Sequence, residues 1–349
     1  MQLQARRIFR LSLTTALALA CAYALRMPLA FLAPLFAFML MSKPGPPVGV
    51  KNLFGLVLLV LGTLGIGLLL IPLLQEYPVV ALLIVALGLY FSSYVTVNLG
   101  KALVGALLTV GFTMISVAGT VSFVLATAVI QALVLAIVIS IVCSWLVYPW
   151  FPEDAADNQQ PPAPQSGAEQ SSWVALRATL IVLPVYFVAL TNPLMYMPIL
   201  MKSVSLAQQS SLLDARSAGR ELLGSTFLAG CFAVLFWGLL GISTNLWMFF
   251  WLMLLFGVYF SSKLYRLIPS RFPASFWLNV AITMLILLGP AVEDSANGKD
   301  VYMAFAVRMG LFFAITIYAV LAVYFLEYLR TRRISRVTLC SQNPEMPAC

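Results

Sequence analysis

Five long stretches of this chain contain no lysine, arginine, aspartate or glutamate. Each is at least as long as the roughly 20 residues that a helix needs to cross the hydrocarbon core of a membrane. Hydrophobic residues make up 62% of the chain and charged residues 9%, against roughly 45–50% and 25% in soluble domains. Because backbone groups in lipid must be satisfied within the protein, we expect an all-α polytopic membrane protein. The stretches are residues 53–75, 77–100, 102–152, 222–262 and 272–292.

The net charge of +8 needs no nucleic-acid partner to explain it. Polytopic membrane proteins collect lysine and arginine in their cytoplasmic loops. We therefore expect the lipid bilayer as the main partner and no nucleic acid.

A six-residue motif occurs twice in the chain. Residues 88–93 read Gly-Leu-Tyr-Phe-Ser-Ser and residues 257–262 read Gly-Val-Tyr-Phe-Ser-Ser, an offset of 169 positions. After one added residue, Thr113 aligns with Thr283. Chance matches in an apolar alphabet are the alternative, but the motif occupies the same place in two similar hydropathy patterns. We predict an internal repeat.

The repeat divides the chain into four parts. Residues 1–150 are the first six-helix membrane repeat and residues 173–330 are the second. Residues 151–172, rich in Pro, Gln, Ala and Ser, are predicted to be a flexible cytoplasmic linker. Residues 331–349 are a basic and polar cytoplasmic tail.

The distribution of positive charge predicts twelve spans. If each repeat begins with a short hairpin of two helices, nearly all cations, Arg10, Arg177 and Lys202 among them, fall in cytoplasmic loops. Without the second hairpin, the cations around Arg216 and Arg266 would lie outside, against the positive-inside rule. Six spans per repeat make the two repeats parallel. We expect a multi-pass protein of the bacterial inner membrane with both termini in the cytoplasm.

Arg308 is the clearest charge inside a predicted span. A guanidinium matches a carboxylate with two parallel hydrogen bonds, so Arg308 is a candidate for binding an anionic substrate. The alternative is an ion pair with Asp300, Asp294 or Glu293 near the outer surface.

The repeated motif supplies further candidates for substrate binding. Its aromatic rings and hydroxyls, placed equivalently in two repeats, suit a pathway for a flat aromatic molecule; interfacial tyrosines and close helix packing are the alternative. The candidates are Tyr90, Ser92, Ser93, Tyr259, Ser261 and Ser262.

A charged cluster precedes the third helix of the second repeat. Asp214, Arg216, Arg220 and Glu221 are candidates for a cytoplasmic gate. A solvated set of side chains at a helix start is the alternative.

Missing residue types exclude several functions. The chain has no histidine, which removes imidazole metal sites and histidine acid–base catalysis. No G-x-x-x-x-G-K-[ST] motif is present, so no P-loop is expected. We predict no enzyme activity, no catalytic residue, no metal and no cofactor.

A family resemblance follows from the order of these features. The chain has a basic start, a short Pro-containing hairpin, and a third helix that opens with a cation and a glycine in each repeat, Lys51 with Gly55 and Arg220 with Gly224. In residues 6–150 and 173–330 it resembles the fusaric acid resistance and aromatic acid exporter superfamily. Its short linker resembles a compact subgroup without the large cytoplasmic domain.

The resemblance implies export of aromatic carboxylic acids or related toxic small molecules, driven by the proton-motive force. It also implies a periplasmic membrane fusion (adaptor) protein as partner. A second copy of the chain is a further candidate partner. The alternative function is a non-transporting membrane subunit that anchors or assembles an envelope complex.

Overall fold

The computed structural model describes residues 3–43, 45–153, 168–210, 215–298 and 300–342, and within these ranges it contains helices but no strand. The all-α prediction is therefore confirmed. This part of the chain forms a short 3₁₀ helix, Tyr148–Trp150, and twelve longer helices: α1 Leu3–Ala24, α2 Leu32–Met41, α3 Val50–Glu76, α4 Pro78–Asn98, α5 Ala102–Val121, α6 Phe123–Val147, α7 Ala168–Thr191, α8 Pro193–Ser210, α9 Ala215–Leu240, α10 Leu246–Leu264, α11 Ala274–Ala296 and α12 Val301–Gln342.

Nine of these helices, α3 to α7 and α9 to α12, are long and apolar enough to cross a membrane. The chain is therefore a multi-pass membrane protein. Helix α2, with ten residues, is shorter than a span, and α1 and α8 carry polar and basic residues. Most of the predicted linker, residues 154–167, lies outside the described residues. Helix α12 continues to Gln342, so the described part of the predicted tail is helical.

The helix starts follow local sequence signals. Helix α4 begins with Pro78 in its first turn, where the missing N–H costs no hydrogen bond. The Ser122 hydroxyl accepts a hydrogen bond from Leu125 N at 3.0 Å and caps α6. The Asn245 side chain caps α10 in the same way through Met248 N at 2.7 Å. Such side chains satisfy backbone donors that have no partner inside the helix.

The short hairpins at the start of each half fold where the sequence predicts. Between α1 and α2 the chain turns at Arg26, which has a positive φ of 51°. Between α7 and α8 the helix breaks at Asn192, before Pro193. A proline disfavours helical backbone in the residue before it, which explains the second break.

Two helices form the centre of the bundle. In α11, 83% of the most apolar window is buried, and in α5 the share is 72%, whereas in α3, α4 and α12 it is 33%. Each central helix is the fifth of its half. A polar side chain on α5 or α11 is therefore held away from lipid.

The two halves pack through reciprocal helix pairs. Helix α1 packs against α10, and α4 packs against α7. Ser12 Oγ lies 2.9 Å from Ser261 Oγ, and a Cβ atom at Gly257 would lie 3.3 Å from the Ser12 Cα. The rings of Tyr23 and Phe249 lie 5.0 Å apart further along the same helices. Contacts at both positions show that α1 and α10 are antiparallel.

Further contacts fix the direction of the second half. The rings of Tyr259, late in α10, and Trp277, early in α11, are in contact, so these helices reverse. Tyr318 of α12 donates its hydroxyl to the Leu180 carbonyl of α7 at 2.7 Å. Glu327, further along α12, lies 3.1 Å from Arg177, earlier in α7, so these two helices are antiparallel. Arg308, early in α12, contacts Asp294, late in α11, so these two helices are also antiparallel. Helices α1, α7 and α11 therefore run in the same direction.

Ion pairs tie the first helix of each half to its last segment. Arg10 lies 2.6 Å from Glu153, which Arg7 also contacts. In the second half, Arg177 lies 3.1 Å from Glu327. Arg10 and Arg177 are buried and lie within helices, so their assignment to loops was wrong. Each can be buried because a carboxylate neutralises its charge.

Tyr265 connects the end of α10 to the end of α2. Its hydroxyl donates to the carbonyls of Ser42 at 3.0 Å and Met41 at 3.3 Å. Burial raises the pKa of Tyr265 to about 12, so the hydroxyl remains a donor at physiological pH.

We expect the Ser12→Cys/Ser261→Cys double variant, made in a background without the native cysteines, to form a disulfide on mild oxidation. The two hydroxyl oxygens are 2.9 Å apart, a separation compatible with a disulfide after small adjustments. The measurement is a mobility shift on a non-reducing gel. Ser12→Cys/Ser92→Cys is the matched control, because Ser92 occupies the corresponding place of the other motif and bonds to α5. Equal crosslinking of both pairs would contradict the α1–α10 packing.

Candidate functional site

Lys202 is the most unusual charged residue in the bundle. It lies within α8, and its side chain is completely buried. Its Nζ lies 2.7 Å from Thr283 Oγ1 and 3.4 Å from Asn279 Oδ1, both on α11. No carboxylate of the described residues forms an ion pair with it. Burial of an unpaired charge costs several kcal/mol, so a lysine here marks a candidate functional site.

A chain of hydrogen bonds continues from Lys202 to α9. Thr283 donates its hydroxyl to Asn279 Oδ1 at 3.2 Å. The Asn279 amide donates to the Ser225 hydroxyl, which donates to the Leu222 carbonyl at 3.1 Å. Lys202, Asn279, Thr283 and Ser225, here called the lysine cluster, therefore join α8, α9 and α11. Its members other than the lysine are neutral.

The sequence prediction for Lys202 was wrong. It placed this residue in a cytoplasmic loop, whereas α8 continues to Ser210. Leu206 and Ala207, after the lysine, are also buried. The apolar residues on both sides of Lys202 were the available signal, because they continue a helical pattern past the charge.

A small, partly open pocket lies between the two halves. Helices α4 and α5 supply its hydroxyl groups, and α7 and α8 supply aliphatic side chains. Ser93, one of the predicted binding residues, lies in its wall. The lining residues are Ser93, Thr96, Val97, Thr109, Ala178, Val182, Val204 and Ala207.

The other serines of the repeated motif bond to neighbouring helices. Ser92 is buried, and its hydroxyl lies 2.6 Å from Thr109 Oγ1 on α5. Ser261 bonds to Ser12 on α1, and Ser262 donates to the Val258 carbonyl of its own helix at 2.7 Å. Ser92 and Ser261 therefore pair with hydroxyls of neighbouring helices, whereas Ser262 bonds within its own helix.

The two tyrosines of the motif have different surroundings. Tyr90 is half-buried and stacks with Tyr94, with ring centroids 6.4 Å apart. Tyr259 is 39% exposed and contacts the rings of Phe232 and Trp277. No hydrogen bond or ring contact within the described ranges joins the two motifs, so the structure does not bring these candidates into one site.

Arg308 pairs with Asp294, one of the partners that the sequence suggested. Its Nη2 contacts Asp294 Oδ2, and the pair joins the start of α12 to the end of α11. The Arg308 side chain is 19% exposed and that of Asp294 is 10% exposed. Because α11 and α12 meet here, the pair lies at the opposite end of the bundle from Glu153 and Glu327.

The predicted gate residues are described only in part. Asp214 and the side chain of Arg216 lie outside the described part of the chain. Arg220 is exposed at the start of α9. Glu221 is half-buried, and its Oε2 is buried without a hydrogen-bond partner in the described ranges.

Metal binding has no visible site in the described ranges. They contain no group of three or more histidine, cysteine, aspartate or glutamate side chains that could hold a metal ion. The chemistry that the lysine cluster can perform is therefore hydrogen bonding and the gain or loss of a proton.

The fold and the site define a polytopic helical membrane protein with a buried polar cluster. In the first half, residues 7–147 match the family model described as "Protein of unknown function (DUF2955)". The match begins in α1 and ends at the last residue of α6, so it covers the six helices of that half. No curated protein and no solved structure matches the chain.

We expect the Arg308→Met variant to lose about 1–3 kcal/mol of stability, because the largely buried Asp294 carboxylate would lose its ion pair with the guanidinium. Thermal unfolding of the detergent-purified protein measures the change. The double variant Arg308→Asp/Asp294→Arg, which restores an ion pair with reversed charges, should recover most of the loss. Equal destabilisation in the single and double variants would contradict a structural pair.

Proposed function

We propose that the chain is an inner-membrane efflux permease. It exports aromatic carboxylic acids or related toxic small molecules by alternating access, driven by the proton-motive force and assisted by a periplasmic adaptor. In this proposal its twelve helices form two parallel six-helix repeats with both termini in the cytoplasm.

The observation that carries the proposal is the lysine cluster. An ionisable side chain deep in a membrane bundle is costly, and such residues commonly mark transport pathways and proton relays. Lys202 is completely buried, and its polar partners Asn279 and Thr283 lie on α11, the most buried span. Anchoring a complex does not by itself require an ionisable group at this depth.

Three features support the repeat arrangement. The first helix of each half packs against the fourth helix of the other, as α1 with α10 and α7 with α4. Helices α1 and α7 run in the same direction. Thr109 and Thr113 lie 170 positions before Asn279 and Thr283, and all four are buried. Parallel repeats of this kind are found in transporters with an axis along the membrane normal.

The pocket between the halves supports a route for substrate. It contains residues from the end of α4 and the middle of α7, so it lies closer to the end of the bundle where α1 and α7 begin than to the opposite end. With the termini in the cytoplasm, this end faces the cytoplasm. Ser93, Thr96 and Thr109 offer hydroxyl groups there, which can bond to a carboxylate or phenol.

We expect deletion of the gene to increase sensitivity to fusaric acid and other aromatic acids several-fold, and the intact gene to restore resistance. The Ser93→Phe variant should fail to restore it, because the larger ring fills the pocket. Leu87→Phe is the matched control, since Leu87 lies on the same helix and is 68% exposed. Growth inhibition and membrane abundance are measured together.

Unchanged sensitivity in the deletion strain, together with no flux of these acids in liposomes containing the purified protein, would contradict the export proposal. If crosslinking in cells still recovered an envelope protein, the result would favour the anchoring subunit instead. Full resistance with Ser93→Phe would show that the pocket is not part of the substrate route, and it would leave the export proposal standing.

A further inference from the structure

The hydrogen bonds around Lys202 match those of an uncharged amine. A neutral amine has two N–H donors, whereas an ammonium has three and no lone pair. Two acceptors surround Nζ, Thr283 Oγ1 at 2.7 Å and Asn279 Oδ1 at 3.4 Å. A charged lysine would have one more donor than the described residues accept, and none of their carboxylates forms an ion pair with it.

Several ionisable groups on the neighbouring helices have their own partners. Helix α8 packs against α5, α7, α9, α11 and α12. Helix α5 has no ionisable residue. Those on the others include Arg177 with Glu327, Arg308 with Asp294, Tyr186 with the Ser116 hydroxyl, and Tyr318 with the Leu180 carbonyl. Glu293 lies at the exposed end of α11, ten residues after Thr283, a rise of about 15 Å.

Glu221 is the acidic residue nearest to the lysine cluster along α9. It precedes Ser225 by four residues, so the two side chains share one face of the helix. Its Oε2 is buried without a hydrogen-bond partner in the described ranges. Glu221 therefore stands between the exposed start of α9, at Arg220, and the lysine cluster.

We propose that Lys202 is the proton-binding residue of the transport cycle. This inference rests on the proposed function and names its coupling group. In the closed bundle the amine is uncharged. When the cluster opens toward the outer side, the nitrogen lone pair accepts a proton from water; when it opens toward the cytoplasm, the ammonium returns that proton to water. One proton then moves inward for each cycle that moves substrate outward.

The free energy of burying a charged amine decides which states of the cycle hold the proton. An ammonium is stable in contact with water but not in the closed interior with the two neutral acceptors that the described residues supply. The substrate-bound half of the cycle therefore passes through the closed bundle with an uncharged amine, and the empty half returns with the ammonium still in contact with water. Asn279 and Thr283 are the positioning residues, because they hold the amine in the closed state.

The first test measures proton binding without transport. If Lys202 is uncharged in the folded protein and charged after unfolding, unfolding takes up one proton, and stability falls as the pH falls. Between pH 9 and pH 7 we expect the unfolding temperature of the unaltered protein to fall by about 2 °C per pH unit relative to that of Lys202→Met. Lys101→Met is the matched control, because Lys101 is exposed; its pH profile should parallel that of the unaltered protein.

A second variant guards against poor folding of Lys202→Met. Asn279→Asp places a carboxylate beside the amine, so the lysine should stay charged in the folded state. The unfolding temperature should then fall less between pH 9 and pH 7 than that of the unaltered protein, as we expect for Lys202→Met. If the profiles of Lys202→Met and Asn279→Asp both parallel that of the unaltered protein, the proton-binding inference is overturned.

The second test measures coupling in liposomes with fusaric acid as the probe. We expect Lys202→Met and Lys202→Arg to lose at least tenfold of the accumulation driven by a pH gradient. Lys202→Met should still exchange labelled for unlabelled probe, a reaction without net proton movement. The arginine variant fails because a guanidinium does not release its proton in proteins.

The outcomes separate the two proposals. Gradient-driven transport at the unaltered rate in Lys202→Arg would overturn the inference and make Lys202 a permanent cation for the acid. If the unaltered protein transports no fusaric acid, export of that probe is contradicted, and the unfolding profiles still decide whether Lys202 binds a proton.

Discussion

Lipid offers no hydrogen bonds, so polar groups within the apolar helices must find partners inside the bundle. The structure meets this requirement in two ways. At the helix ends, arginines pair with carboxylates, as Arg10 does with Glu153 and Arg177 with Glu327. In the interior, hydroxyls bond to one another or to helix carbonyls. Lys202 follows neither pattern, since its partners are neutral, and this difference makes it the centre of the functional proposal.

The position of the lysine cluster depends on the packing of the halves. Helix α11 is the most buried span, and it supplies Asn279 and Thr283. Helix α8 belongs to a short hairpin that packs between central helices of both halves, which brings Lys202 against α11 on one side. On another side, Val204 and Ala207 of the same helix line the pocket toward α4 and α5. One short helix therefore contacts both the cluster and the pocket.

The sequence predicted individual site residues with mixed results. Ser93 lines the pocket between the halves, and Arg308 has one of its suggested acidic partners, Asp294. Ser92 and Ser261, predicted as candidates for substrate binding, bond to hydroxyls of neighbouring helices. Asn279 was not among the predicted site residues, because the sequence alone does not distinguish it from the other polar residues of the apolar helices. Whether any of these residues binds substrate stays a prediction.

The sequence by itself determined the membrane class, the all-helical fold, the twelve helices and most of their ends, because long uncharged runs, prolines and capping residues act locally. Only the tertiary structure decided that the Lys202 side chain is buried in the bundle. Charge counting treats each cation as a loop residue, since an isolated lysine on a membrane helix is unfavourable. Helices α8 and α11 are far apart in the chain. Only their packing supplies the two acceptors that let the Lys202 side chain remain inside the bundle.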